Sequence, residues 1–194
     1  MNHNRRFIPP SQSTADFLKI LQAQGLSHAV LRWFETLPHV AQGEDIDMLV
    51  ADDHAPAIIA LLQQKGPGQP VDLYSASGAH GLGWRGAPYL PPHKASQLLA
   101  RRIHGKACDH PAPEDHMASL AFHVVFHKGS LESPDHDYRA ALGIPPSVTL
   151  HDLEKQLKRY GWKPGLKALW RWRRHNRFIS ERLPRWLPAR WRGA

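Results

Sequence analysis

Apolar and polar positions along the chain fall into short blocks separated by Pro, Gly and acidic residues. Ser13 and Thr14 offer a helix N-cap. Residues 15–24 follow, with Phe17, Leu18, Ile20 and Leu21 apolar, and Gly25 as a stop. Residues 29–34 read as strand or as a strand-to-turn segment. The run Gly43-Glu44-Asp45-Ile46-Asp47-Met48-Leu49-Val50 has the period of two that a strand imposes. It predicts a strand with Ile46, Met48 and Val50 turned into the body and Asp45 and Asp47 together on the other face. Asp52 and Asp53 read as the N-cap of a helix over 55–65, whose apolar face is Ile58, Ile59, Leu61 and Leu62.

Beyond that helix, Gln69-Pro70-Val71-Asp72-Leu73-Tyr74 reads as a second short strand with one carboxylate. Residues 75–92, with Gly78, Gly81, Gly83 and Gly86, form a long loop. Trp84, Arg85 and Tyr89 within it suit either a substrate-facing role or a surface excursion packed on its own Trp. A short helix over 93–102 precedes one that opens at Pro113-Glu114-Asp115 and stops at Gly129. Residues 134–146 are loop-rich, and 150–159 is an amphipathic helix. The alternation of elements predicts an α/β or α+β domain over 1–150 and a separate tail over 151–194.

Charge sharpens that division. The 194 residues carry a formal charge of +8. Residues 151–194 hold 13 Lys+Arg against 3 Asp+Glu, or +10, so the remaining 150 residues sum to −2. A near-neutral body thus precedes a basic tail. Five of the seven tryptophans lie in the tail, interleaved with Arg and Lys. Trp170, Trp172, Trp186 and Trp191 beside arginines suit an anionic membrane surface, where indoles settle at headgroup depth. Packing of these indoles on the body is a second reading. Nucleic acid, bound through Arg on phosphate and Trp on bases, is a third.

The hydrophobic content of 42% fits a globular protein, and no apolar run approaches the ~20 residues of a membrane span. Residues 1–10 contain Arg5 and Arg6 but no apolar stretch typical of a secretory signal. The single cysteine, Cys108, excludes an intramolecular disulfide and a Cys-rich zinc site. A cytoplasmic location is the default, with peripheral attachment to the inner face of the cell membrane through the tail.

Two carboxylates on one strand face repel unless a cation sits between them, and hard oxygen ligands suit Mg²⁺ or Mn²⁺. If the Asp72 strand lies beside the first, Asp45, Asp47 and Asp72 converge on one metal site. Elsewhere His116, His123 and His127 share a helical face, and His123 and His127 have a spacing that zinc helices use. No Glu follows the first, so the metalloprotease pattern is absent. With 14 His in the chain, clustering by chance is expected. One functional reading gives His127 and Lys128 a place at a phosphate or sugar hydroxyl. The plainer reading makes the histidines core residues satisfied by backbone carbonyls.

The Asp45-x-Asp47 strand followed by Asp72 resembles the nucleotidyltransferase-like superfamily, over roughly residues 27–74. The resemblance implies a small mixed sheet flanked by helices. It also implies a metal held by Asp45, Asp47 and Asp72 that bridges nucleotide phosphates, with Asp72 as the base for an acceptor hydroxyl. Arg32, Lys128 or Arg85 would neutralise phosphate charge. The wider layout resembles uncharacterised nucleotidyltransferase-like proteins found with bacterial surface-polysaccharide genes. It does so through Ala29-Val30-Leu31-Arg32, residues 43–50 and 71–75, Tyr89-Leu90-Pro91-Pro92 and residues 123–129. The implied activity is transfer of a nucleotidyl or phosphoryl group from a nucleotide or sugar-phosphate to a sugar, polyol or lipid-linked glycan. The superfamily usually places a Gly-Ser pair where this chain has Val30-Leu31-Arg32-Trp33-Phe34-Glu35. That difference supports the alternative of a degenerate nucleotide-binding or scaffold protein, and the basic tail leaves a nucleic-acid-associated role as a third. By spacing alone, Asp47→Asn should relieve repulsion and leave the metal-free fold as stable or more so.

Overall fold

In the computed structural model, which describes residues 4–133, 136–166 and 168–169, four strands form one mixed sheet. They are β1 (Arg5–Ile8), β2 (His28–Val30), β3 (Ile46–Val50) and β4 (Gln69–Ser75), in the order β1-β4-β3-β2. β3 and β4 run parallel, while β1 and β2 flank them antiparallel. The fold is therefore mixed α/β with a small mixed sheet. Contacts divide the chain at His116/Met117 into two compact units, whereas the charge boundary falls at 150/151.

The first unit contains the sheet. One face carries the apolar core: Ile8, Val30, Ile46, Met48, Val50, Val71 and Leu73 are all buried. Helix α1 (Thr14–Ala23) supplies Phe17, Leu18 and Leu21 to this core. Full burial of each such side chain contributes roughly 1.5–3 kcal/mol. Ser13 caps α1 by accepting from the Asp16 amide at 3.1 Å, and Gly25 leaves it at a φ of +62°. The alternation read from Ile46 to Val50 is thus the alternation observed.

Several local expectations change. Helix α2 is short, Ala55–Ala60, and neither Asp52 nor Asp53 is its N-cap, which is His54. Asp52 instead accepts the Ser77 amide at 3.0 Å, across to the loop after β4. The helix stops early because the Gln63 backbone is committed elsewhere: it exchanges two hydrogen bonds with Phe7 of β1, at 2.8 and 2.9 Å. β2 ends at Val30, and Trp33 then takes a left-handed φ of +56° that turns the chain into a 3₁₀ segment, Phe34–Thr36. α3 spans Pro92–Ala100. β1 and the hairpin β5 (Ile103–His104) and β6 (Asp109–His110) had no counterpart in the sequence reading.

α4 (Pro113–Phe122) spans the division and continues as a π-helical segment, His123–Lys128. In that segment the Gly129 amide, at a φ of +73°, donates five residues back to Val124 at 2.8 Å. The second unit adds α5 (Tyr138–Leu142), inside the stretch read as loop, and α6 (Leu150–Arg159). Thr149 and Asp152 cap α6 reciprocally, and Leu153, Leu157 and Trp162 are buried. Among the described residues no helix is long and apolar enough to cross a membrane.

Candidate functional site

The opposite face of the sheet carries the carboxylates. Asp47 of β3 and Asp72 of β4 are register partners on parallel strands, so both side chains rise from the same face. Asp45 precedes Asp47 by two residues, just before β3 begins. Asp45, Asp47 and Asp72 each present a carboxylate oxygen, and the three oxygens lie within 4.8 Å of one another. Asp47 is the most enclosed, and Asp45 the most open, with 29% of its side chain exposed. The convergence that the sequence made conditional on neighbouring strands is therefore present.

Two arginines engage the trio. Arg5 of β1 is the register partner of Asp72, which continues the row across three strands. Its Nε donates to Asp72 Oδ1 at 2.8 Å and its Nη2 to Asp72 Oδ2 at 3.2 Å, while Nη2 also bonds Asp45. Arg32, two residues beyond β2, pairs with Asp47, and its Nη1 donates to the Tyr89 hydroxyl at 2.6 Å. The Leu31 amide donates to the Asp47 carbonyl at 2.8 Å, which brings Arg32 alongside that carboxylate. The Tyr89 ring stacks on Tyr74 with centroids 3.9 Å apart, so aromatic rings wall this side of the site.

Burial and charge set the titration of the site. Burial pushes the Asp45 carboxyl up to about 6, and the neighbouring Asp47 and Asp72 charges push the same way. Arg5 and Arg32 pull it down but do not offset this. Burial opposes the charge on Arg32, yet Asp47 and the two tyrosines outweigh it and hold the guanidinium above its ordinary range. Burial raises the Tyr74 phenol, aided by Asp47, so it stays neutral.

An all-carboxylate donor set suits a hard divalent ion. Oxygens sharing one Mg²⁺ at ~2.1 Å stand at most ~4.2 Å apart, so small side-chain rotations bring the trio into range. Arg5 bridges two of the three carboxylates that such an ion would use. Sequence reasoning gave Arg5 no part in the site. The local signal is weak, since Arg5-Arg6-Phe7-Ile8 before Pro9-Pro10 does not alternate, and the partner of Arg5 is 67 residues away.

Arg32 faces Asp47 and Tyr89. Arg85 is exposed and lies over its neighbour Trp84, 4.7 Å from the ring centroid. His116 meets Phe34 edge-on at 4.9 Å, and Phe34 also stacks on His110. His127 and Lys128 belong to the second unit. There His127 is buried edge-on against Phe122 and His123, and Lys128 is exposed. His123 faces the Tyr138 hydroxyl at 3.5 Å. Trp170, Trp172, Trp186 and Trp191 lie outside the described residues. Among the described residues the Asp45–Asp47–Asp72 group is the cluster with metal-ligand spacing. No family model, curated protein or solved structure matches the chain.

Proposed function

We propose that this protein is a metal-dependent transferase of the nucleotidyl or phosphoryl type, on a nucleotidyltransferase-like core. The observation that carries the reading is the trio: Asp45, Asp47 and Asp72, on adjacent parallel strands, with oxygens within 4.8 Å. Those residues would hold Mg²⁺ or Mn²⁺, which would supply positive charge to offset that developing on a transferring phosphate. Arg32 fixes Asp47 through their buried ion pair. Asp72, once clear of Arg5, accepts the proton of an acceptor hydroxyl. A sugar, polyol or lipid-linked glycan is the acceptor class that the surface-polysaccharide resemblance implies. The Trp- and Arg-rich tail suits work at an anionic membrane surface. The test is turnover of each nucleoside triphosphate with Mg²⁺ or Mn²⁺ and mixed sugar and polyol acceptors, read as pyrophosphate or phosphate release. Activity lost in Asp72→Asn supports the reading.

A second reading is a nucleotide-binding or scaffold protein without catalysis. The hold of Arg5 on both Asp72 and Asp45 favours it, as does the lack of Gly-Ser in residues 30–35. Metal and nucleotide binding with no turnover of any acceptor would select it.

A further inference from the structure

The two arginines at the carboxylates are held in different ways. Arg32 has a side chain 9% exposed, paired to an equally enclosed Asp47 and bonded to Tyr89. Withdrawing it would leave a buried charge behind, so it is a fixed part of the site. Arg5 has a side chain 40% exposed and reaches the carboxylates from the solvent side. Its backbone is anchored at both ends of a short strand. The register runs from Arg5↔Asp72 to Ile8↔Gln69, and Phe7 exchanges two hydrogen bonds with Gln63. The guanidinium can therefore leave by rotation about its own side-chain bonds, with no movement of the sheet.

Charge favours such an exchange. Three carboxylates against two guanidinium groups leave one negative charge uncompensated when all are ionised. A divalent cation in place of the Arg5 guanidinium would neutralise the cluster. Arg5 and the cation also compete for Asp72, since Arg5 occupies both of its oxygens and one of Asp45. A guanidinium and a divalent ion on the same carboxylate repel each other, so occupancy by one disfavours the other.

We propose that Arg5 is an exchangeable counter-ion of the carboxylate site. It bridges Asp72 and Asp45 when no divalent cation is bound and swings outward when one enters. The inference rests on the trio being a divalent-cation site, and it adds a built-in competitor that sets cation affinity.

Mn²⁺ titration of the full chain, followed by the electron paramagnetic resonance of free Mn²⁺, tests it. Arg5→Gln should bind Mn²⁺ roughly tenfold more tightly than the parent, as expected for removal of one nearby positive charge. Arg5→Lys should fall between the two, because an ammonium keeps the charge but lacks the planar fork that spans two carboxylates. Without metal, Arg5→Gln should melt at a lower temperature than the parent, and saturating Mn²⁺ should close that gap. If the parent binds Mn²⁺ and Arg5→Gln binds equally or more weakly, Arg5 positions the ligands rather than competing with the ion, and the exchange is overturned while the metal site stands. Should neither protein bind Mn²⁺, the metal reading and the exchange fall together. If Arg5→Gln does not fold, Arg5→Lys decides: tighter binding than the parent supports exchange, and equal or weaker binding overturns it.

Discussion

Arg32 and Asp47 form an ion pair in which each side chain is only 9% exposed. This reverses the sign expected from spacing alone, where loss of one carboxylate relieves repulsion. Asp47→Asn removes the main partner of a buried guanidinium. The unfolding free energy should fall by about 3–5 kcal/mol, measured by chemical denaturation without metal. Stability at or above that of the parent would mean that Arg32 re-pairs, with Asp45 or Asp72 as its nearest alternatives.

Tyr89 supplies the second restraint on Arg32. Tyr89→Phe keeps the ring that stacks on Tyr74 but removes the oxygen 2.6 Å from Nη1. Hydrogen bonds to charged groups contribute roughly 1.5–3 kcal/mol, and the denaturation midpoint should shift by that equivalent. An unshifted midpoint would assign Tyr89 to packing alone.

Asp45, with its carboxyl at about 6, gives the site a pH signature. Between the ordinary aspartate value of ~3.9 and about 6, the folded protein binds the Asp45 proton and the unfolded chain releases it. The Asp45 contribution to stability therefore declines as pH rises through that window and is level above it. Metal binding needs the deprotonated ligand, so Mn²⁺ affinity should drop as pH falls below about 6, by up to about tenfold per unit. Calorimetric titrations across that range would check this. An Asp45→Asn variant that kept the same pH dependence would move its origin to another group.

The tail yields a prediction from composition. If Trp170, Trp172, Trp186 and Trp191 insert at an anionic interface, tryptophan emission should shift blue with anionic vesicles. Each Arg near the surface adds on the order of 1 kcal/mol, so salt should weaken much of the binding but spare the indole part. Single-stranded nucleic acid would instead give quenching and a steep salt slope. Deletion of residues 175–194 should abolish vesicle binding and leave the body folded. A body that unfolds on deletion would assign those indoles to the core.

What the sequence disclosed was what local periodicity encodes. α1 matches its cap and apolar face, α6 matches its bounds, and Ile46, Met48 and Val50 face the core while Asp45 and Asp47 do not. Non-local pairing was not encoded in this way. α2 stops before Gln63 because that backbone belongs to Phe7, a choice no property of 55–65 reveals. β1 is four residues long and starts with two arginines, so it lacks the apolar density of a strand in isolation. The carboxylates were legible because they are two apart on one strand. Their arginines were not, because Arg5 meets Asp72 only through strand register, and Arg32 meets Asp47 only through the left-handed turn and bonds that follow β2.

The row Arg5–Asp72–Asp47 draws on three strands, and Arg5 stands 67 residues from Asp72 and 40 from Asp45 along the chain. Closing loops of that length has a conformational entropy cost that no single helix or hairpin meets. Contacts of such sequence separation slow folding and are absent from any local fragment. A stretch ending before Gln69 would carry Asp45 and Asp47 with neither Asp72 nor the strand that seats Arg5. The ability to bind a cation thus arises together with the long-range strand pairings, and metal affinity recorded during refolding would time the completion of the sheet.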